Sequence, residues 1–186
     1  YIFELSHAFP STPIKRLARV LCALDQDISE RDANRLLRRF CAAHPDGLAI
    51  GAPASPVLFN IYAAHEIDGR IRELSTNPGV VYTRYLDDCV ISSLTPIAGE
   101  FRRKVRRAVT EADFLINHIK SRRLDIEKRP VTITGARITK RGEIIPTGDF
   151  LDLVRTLLSV RWLRPGTETN HFVGTIQYLL SFEEPV

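Results

Sequence analysis

Helical periodicity dominates the pattern of hydrophobic and polar positions along the chain. Apolar residues recur every three or four positions over residues 12–24, 29–44 and 55–74, and again after Thr95 and after Pro146. In the second of these stretches, a serine at the start and an aspartate three positions later have the spacing of a capping box. The pattern predicts a chain rich in amphipathic helices, of which the one over residues 55–74 is long and unbroken.

Strand patterns separate these helices. Branched and aromatic residues over residues 1–5 and on both sides of Asp87-Asp88 favour extended backbone, and the second pair of runs predicts a hairpin with the two acids at its tip. Alternation over residues 131–139 predicts one further strand, which pairs with Ile144-Ile145 after a turn. Strands and helices in this order predict an α+β fold in which helices pack on one face of an antiparallel sheet.

Composition narrows the class of protein. With 186 residues, 44% of them hydrophobic, the chain can build one main domain with an appendage. No apolar run is long enough to span a membrane, and the three cysteines lack Cys-x-x-Cys spacing, so we expect a cytoplasmic protein with reduced cysteines and no membrane partner. The net charge of +4 suits a polyanionic partner, although an ordinary basic surface gives the same value.

The adjacent acids Asp87 and Asp88 carry the first chemical signal. Two carboxylates in one tight turn repel each other unless a cation lies close, so the pair indicates a divalent-metal site, and hard oxygen ligands favour Mg²⁺. A solvated turn is the alternative, because Tyr-x-Asp-Asp occurs by chance in about one or two of every hundred chains of this length. The pair therefore needs support from other segments.

Four segments supply that support because they resemble motifs of reverse transcriptases and follow one another along the chain in the same order as in that family. Residues 82–88, Tyr-Thr-Arg-Tyr-Leu-Asp-Asp, resemble the Tyr-x-Asp-Asp hairpin of that family. Residues 4–11 resemble its first catalytic motif, Asp-x-x-x-x-Phe-Pro-Ser, and residues 51–60 resemble its Gly-x-x-x-Ser-Pro-x-x-x-Asn segment. Residues 117–138 resemble, in turn, its lysine motif and its primer grip. The match looks closest to bacterial retron-type and group II intron-like members.

The resemblance implies an RNA-directed DNA polymerase, which transfers nucleotides from dNTPs to a primer 3′-hydroxyl by a two-metal mechanism with Mg²⁺, or Mn²⁺ as a substitute. Residues 1–146 would form its palm and residues 147–186 the start of a helical thumb. Its partners would be an RNA template and a DNA or RNA primer. Because the chain opens with Tyr1 in a strand pattern and contains no Met, we expect an N-terminally truncated fragment without fingers, inactive by itself. The resemblance leaves open the oligomeric state and the biological role, whether retroelement mobility, antiviral defence or another.

The resemblance also assigns site residues. Glu4, Asp87 and Asp88 would bind the metal ions, together with the backbone carbonyl of Leu5. Phe9 would exclude a ribose 2′-hydroxyl, with an ordinary core phenylalanine as the alternative. The other residues expected to contact nucleotide or template are Gly51, Ser55, Pro56, Asn60, Tyr85 and Lys120, the last of them close to the triphosphate.

Two positions depart from the family pattern, and they keep other functions open. Glu4 stands where the family has Asp, and Ile50 stands where it has Gln. A degenerate palm, which binds RNA or a protein partner without polymerising, is therefore an alternative. An RNA polymerase palm is a third possibility, but the bulky Phe9 argues against it.

Overall fold

The computed structural model describes residues 1–25, 27–43, 46–75 and 79–161 of the chain. The chain divides into two compact units, Tyr1–Arg123 and Leu124–Val186. The predicted boundary between palm and thumb, at residue 146, concerns function and stays a prediction. Most of the predicted thumb lies outside the described residues.

A four-stranded antiparallel sheet organises the first unit. Its strands lie in the order β4-β5-β1-β6, so that β1 is flanked on both sides. A short separate ladder joins β2 to β3. The strands of this unit are β1 (Ile2–Ser6), β2 (Ala42–Ala43), β3 (Gly47–Leu48), β4 (Val80–Tyr85), β5 (Asp88–Ser93) and β6 (Leu115–Ile116).

Among the described residues of the first unit, five helices contribute to the hydrophobic core on one face of this sheet. They are α1 (Ile14–Leu24), α2 (Glu30–Phe40), α3 (Ser55–Ala63), α4 (Gly69–Leu74) and α5 (Gly99–Glu111). The predicted cap of α2 is confirmed, because the Ser29 hydroxyl accepts the Asp32 N–H at 3.1 Å. This helix ends at Phe40 rather than near residue 44, since the next residues pair as β2 with β3.

The long helix predicted over residues 55–74 is present but not regular. A π-helical segment, Ala64–Asp68, lies between α3 and α4 and continues the same helical path. One wide turn of this kind shifts the direction of the side chains that follow it, and such segments are frequent at functional sites. Helical periodicity alone does not reveal it.

The core lies on the helical face of the sheet. Phe3 and Leu5 of β1 are fully buried, whereas Glu4, which lies between them, faces the other side of the sheet. The same hydrophobic cluster takes in Phe59 and Tyr62 from α3 and Val105 from α5. The opposite face of the sheet, here called the open face, therefore remains available for polar residues of the strands.

The second unit has a three-stranded antiparallel sheet and one helix, α6 (Gly148–Arg161). Its strands are β7 (Val131–Ile133), β8 (Ala136–Ile138) and β9 (Ile144–Pro146). The prediction of a single strand over residues 131–139 is wrong, because Thr134 and Gly135 turn the chain with φ of 44° and 85°. Gly135 was the signal, since glycine adopts this left-handed backbone without steric cost.

Together these elements confirm the predicted α+β class with antiparallel sheets. All three cysteines are free, and Cys89 is buried. In the described ranges, no helix is both long and apolar enough to cross a lipid bilayer.

Candidate active site

The register of β1 against β5 brings two of the predicted acids face to face. Glu4 pairs with Asp88 across the antiparallel ladder, and directly opposite residues of such a ladder share one face of the sheet. That face is the open one, because their neighbours Phe3 and Cys89 are buried in the core. Asp87 is the second residue of the two-residue turn, Leu86-Asp87, that joins β4 to β5, and Asp88 is the first residue of β5. The structure thus gathers all three predicted acids at one end of the sheet.

The pKa of Asp88 is affected by both neighbouring acids. Partial burial, followed by the charges of Asp87 and Glu4, raises the pKa of Asp88 above its usual value. Lys120 acts in the opposite direction on the same group. The end of the sheet is therefore a site of concentrated negative charge with one nearby ammonium.

That ammonium binds Glu4 directly. The Nζ atom of Lys120 donates to Oε1 of Glu4 at 2.8 Å and lies 2.6 Å from Oε2. This hydrogen bond with Glu4, together with the charges of Glu4, Asp87 and Asp88, raises the pKa of Lys120 above its usual value. The predicted lysine therefore lies beside the acids, although 116 residues separate it from Glu4 in the sequence.

The backbone of Leu5 also faces the hairpin turn. Its N–H donates to the Asp87 carbonyl at 3.0 Å, and since N–H and C=O of one strand residue point to the same side, its carbonyl faces the turn as well. On the other side of β1, the Glu4 carbonyl accepts the Asn117 N–H at 2.8 Å. The Leu5 carbonyl thus faces the turn that contains Asp87, and its role as a metal ligand stays a prediction.

The donor set fits a hard divalent cation in its chemistry. Three carboxylates and one carbonyl are oxygen donors of the kind that Mg²⁺ and Mn²⁺ prefer. Their side chains do not form a finished site, and the Glu4 carboxylate is engaged by Lys120. Within the described ranges, no three His, Cys, Asp or Glu side chains are grouped closely enough to hold a metal ion. Glu4 would have to exchange Lys120 for the metal.

Phe9 lies on the loop that follows β1. Its ring is half-buried and meets Phe59 edge-to-face, with 5.6 Å between the ring centroids. Its carbonyl accepts the N–H groups of Thr12 at 3.1 Å and Leu48 at 2.8 Å, which fixes the loop. These contacts agree with the core alternative for Phe9, and its role in sugar selection stays a prediction.

The predicted template segment forms a loop followed by α3. Gly51 is exposed with φ of 83°, a left-handed conformation that favours glycine, and open space surrounds its missing side chain. Ser55 is buried and donates its hydroxyl to the Ala49 carbonyl at 2.6 Å. Pro56 occupies the first turn of α3, where its missing N–H costs nothing. Gly51 and Ser55 thus shape the loop, and their predicted contacts with nucleotide or template stay predictions.

The alternation of β4 divides its last residues between the two faces. Tyr85 pairs with Asp88 on the open face and is 69% exposed. Arg84 points to the core face, where it binds Asp68 at 2.9 Å and also donates to Asn60 at 2.8 Å. Tyr85 therefore lies beside Asp88, and its contact with nucleotide or template stays a prediction, whereas Asn60 contacts Arg84 of the hairpin.

Sequence reasoning assigned no role to Arg84, Asp68 or Tyr82. The Tyr82 hydroxyl donates to Asp68 at 3.0 Å, and burial raises the pKa of Tyr82 above its usual value. Burial likewise raises the pKa of the neighbouring Cys89 thiol to about 12, so this thiol stays neutral. One signal for this group was present in the sequence: Arg84 occupies a core-facing position of a strand, where an arginine requires a buried partner.

Comparison with known proteins adds a sequence relative and two structural ones, although no protein-family model matches the chain. The retron Ec86 reverse transcriptase of Escherichia coli is 28% identical over 138 residues, which cover 74% of this chain and 39% of that protein. The chain thus spans about two fifths of the length of this curated relative.

The structural relatives are two telomerases. Apo telomerase from Candida tropicalis, truncated from its C-terminal domain, has a TM-score of 0.58 at 11% identity, covering 78% of this chain and 35% of that one. Telomerase from Candida albicans, determined with a TWJ fragment of telomeric RNA, also has a TM-score of 0.58 at 11% identity, covering 97% of this chain and 37% of that one. At such low identity the telomerases show the fold alone. These findings confirm the predicted resemblance at this level: the chain is similar in sequence to a retron reverse transcriptase and in fold to two telomerases.

Proposed function

We propose that this chain is the palm of an RNA-directed DNA polymerase, which transfers nucleotides from dNTPs to the 3′-hydroxyl of a primer. One observation carries the proposal: the β1–β5 register sets Glu4 opposite Asp88 on the open face, next to the turn that contains Asp87. Carboxylates delivered by two neighbouring strands are what a metal-dependent phosphoryl transfer requires. The similarity to the retron reverse transcriptase supports the same class of enzyme.

In this proposal Glu4, Asp87 and Asp88, with the Leu5 carbonyl, hold Mg²⁺ or Mn²⁺. Metal ions bound there would polarise the reacting phosphate and neutralise the charge that develops on it. Lys120 is protonated at neutral pH like any exposed lysine, and the surrounding acids raise its pKa further. Once Glu4 turns to the metal, this ammonium is free to bind the triphosphate of the incoming nucleotide. Tyr85, exposed beside Asp88, would contact the primer or the nucleotide.

An RNA template is proposed from the relatives. One of the telomerases was determined with a fragment of telomeric RNA, and the retron protein is a reverse transcriptase. The net charge of +4 is in keeping with a polyanionic partner.

The test is primer extension on an RNA template by the gene product that contains this chain, with any flanking sequence restored. Glu carries one methylene more than Asp, and misplacing a reacting group by about 1 Å can lower the rate ~100-fold. We therefore expect slow extension by the wild type, faster extension by Glu4→Asp and none by Asp87→Ala. Mn²⁺, with its less strict geometry, should relieve part of the wild-type defect. Glu73→Ala, which removes an exposed carboxylate of α4, is the matched control and should extend like the wild type.

A catalytically degenerate palm is the second candidate, and the Glu4–Lys120 ion pair favours it. A lysine that satisfies the first acid permanently would take the place of the metal, and the palm would then only bind RNA or a protein. If wild type and Glu4→Asp both remain as silent as Asp87→Ala in either metal, while RNA still binds, this second candidate is correct and the polymerase proposal is wrong.

A further inference from the structure

We propose that Arg84 is a positioning residue, which holds the acid-bearing turn of the hairpin from the core face of the sheet. The inference rests on the proposed function in one respect, since the turn matters because it contains Asp87. Arg84 itself lies on the face opposite the acids, because it pairs with the buried Cys89. It can therefore act on the site only through the backbone of the turn.

The guanidinium of Arg84 uses all of its nitrogens. Nε and Nη2 donate to the two carboxylate oxygens of Asp68, each at 2.9 Å, which is the bidentate geometry that arginine forms best. Nη1 donates to Oδ1 of Asn60 at 2.8 Å and to the carbonyl of Leu86 at 3.0 Å. The side chains of Arg84 and Asp68 are only 7% and 8% exposed. Four acceptors in three directions leave this group little freedom to move.

The Leu86 carbonyl is the contact that reaches the site. Leu86 has a left-handed backbone with φ of 51°, which a residue other than glycine seldom adopts. Its carbonyl belongs to the peptide that precedes Asp87, and Arg84 binds that peptide. The peptide that follows Asp87 is bound in turn, because the Asp87 carbonyl accepts the Leu5 N–H at 3.0 Å. With both flanking peptides fixed, the direction of the Asp87 side chain from the backbone is fixed as well.

The π-helical segment explains how Asp68 reaches Arg84. Asp68 is the last residue of that segment and is buried, with 5% of its surface exposed. Besides the two bonds from Arg84, it accepts the Tyr82 hydroxyl at 3.0 Å, so the carboxylate is fully occupied. An aspartate buried in the core without such partners would be strongly disfavoured. The irregular helix, the buried acid and the hairpin thus form one hydrogen-bonded group.

This arrangement also gives Asn60 a role other than contact with nucleotide or template. Its Oδ1 is the acceptor that holds the second arm of Arg84, on the helical side of the hairpin. Asn60 lies in α3, and Asp68, eight residues later, is the last residue of the π-helical segment that follows α3. Both are therefore assigned to support of the hairpin.

A purely structural ion pair is the competing explanation, and one variant separates the two. Arg84→Lys keeps the positive charge beside Asp68, but a single ammonium cannot bind both Asp68 oxygens, Asn60 and the Leu86 carbonyl together. We expect the 186-residue variant to keep its secondary structure while the amides of residues 86–88 exchange faster with solvent. We also expect its affinity for Mn²⁺, followed by electron paramagnetic resonance, to fall about tenfold, since loss of supporting hydrogen bonds lowers metal affinity ~10–100-fold. Arg107→Lys, an exposed arginine of α5 paired with Glu111, is the matched control and should change neither quantity.

Each outcome decides between the explanations. Unchanged amide exchange at residues 86–88 and unchanged Mn²⁺ affinity in Arg84→Lys would overturn the positioning role. If Arg84→Lys fails to fold, Asn60→Ala, which removes one exposed acceptor, should still show a smaller change in the same direction, and no change there overturns the proposal too. If wild type and Asp87→Asn bind Mn²⁺ equally weakly, the proposed metal site is wrong, and amide exchange alone then decides the role of Arg84.

Discussion

Glu4 is the residue at which the chemistry of this chain departs furthest from the reverse transcriptase pattern. Its side chain is one methylene longer than that of the expected Asp, and its carboxylate meets the ammonium of Lys120 at 2.6 Å. The same carboxylate lies across from Asp88, whose pKa it helps to raise. Glu4 can therefore bind either of two cations, the ammonium of Lys120 or a metal ion. Primer extension by wild type and Glu4→Asp tests which of them it binds.

Asp88 should make stability depend on pH in a specific direction. Its pKa is higher in the folded chain than the usual value of about 3.9, so the folded state binds the proton more tightly than the unfolded state does. At neutral pH the charge is present in both states and lowers the free energy of unfolding. This lowering of the free energy of unfolding disappears as pH falls through the raised pKa of Asp88 in the folded state.

We therefore expect Asp88→Asn to be more stable than wild type at pH 7, with the difference shrinking as pH falls towards the usual pKa of aspartate. Urea unfolding at a series of pH values measures this, with Glu73→Gln as the control at an exposed carboxylate. A variant that is equally stable or less stable at pH 7 would show that repulsion among the acids is not significant. At the same time Asp88→Asn should bind Mn²⁺ more weakly than wild type.

Among the elements, the short ladder of β2 and β3 positions the loop that follows β1. Leu48 of β3 donates to the Phe9 carbonyl, so this ladder fixes the loop that leaves β1 beside Glu4. Gly47 allows the approach, because a Cβ atom there would lie 1.9 Å from the backbone oxygen of Pro10. The backbone of Pro10 cannot move away from such a Cβ atom as the end of a flexible side chain could.

Gly47→Ala is accordingly expected to destabilise the chain by about 1–3 kcal/mol, the usual cost of overfilling a packed site. Gly69→Ala is the matched comparison: nothing lies within 4 Å of its Cβ position at the start of α4, so it should stabilise the helix by roughly 0.5–1 kcal/mol. Denaturant unfolding of both variants gives the two values. Equal effects of the same sign would mean that the close contact at Gly47 relaxes without cost.

The hairpin turn illustrates what the sequence could predict at this scale and what it could not. Alternation along β1, β4 and β5 predicted strands, but only the resemblance to the reverse transcriptase motifs implied that Glu4 lies beside Asp87 and Asp88, because a period of two gives the faces of a strand and not its neighbours. The left-handed backbone of Leu86 was not predictable, since leucine pays about 1–2 kcal/mol for it and no local signal announces that cost. The contact from Arg84 that offsets it depends on a partner in another element.

At the scale of the whole molecule, all proposed metal ligands and Lys120 belong to the first compact unit, Tyr1–Arg123. We expect a chain of residues 1–123 to fold alone and to bind Mn²⁺ as tightly as the 186-residue chain. Circular dichroism and paramagnetic resonance measure the two properties. A shortened chain that folds but binds Mn²⁺ more weakly would place a ligand in the second unit.

At this scale the sequence did not predict which distant residues form ion pairs. The order of the elements was predictable from periodicity and from the family motifs, because both are local. The ion pair between Glu4 and Lys120 and that between Arg84 and Asp68 join residues 116 and 16 positions apart. Which cation meets which acid depends on how far the π-helical segment turns and where β6 ends, and neither is a local property.

The alternation of β1 has a consequence for how this chain can evolve. Its odd-numbered residues Phe3 and Leu5 build the core, while the even-numbered Glu4 belongs to the proposed metal site. Inserting or deleting one residue in this strand would exchange the two sets, burying a carboxylate and exposing a phenylalanine, so it would remove the stability of the fold and the proposed metal site together. Substitution, by contrast, alters one set at a time. A substitution such as Glu4→Asp can therefore change the proposed site while the residues that build the core stay as they are.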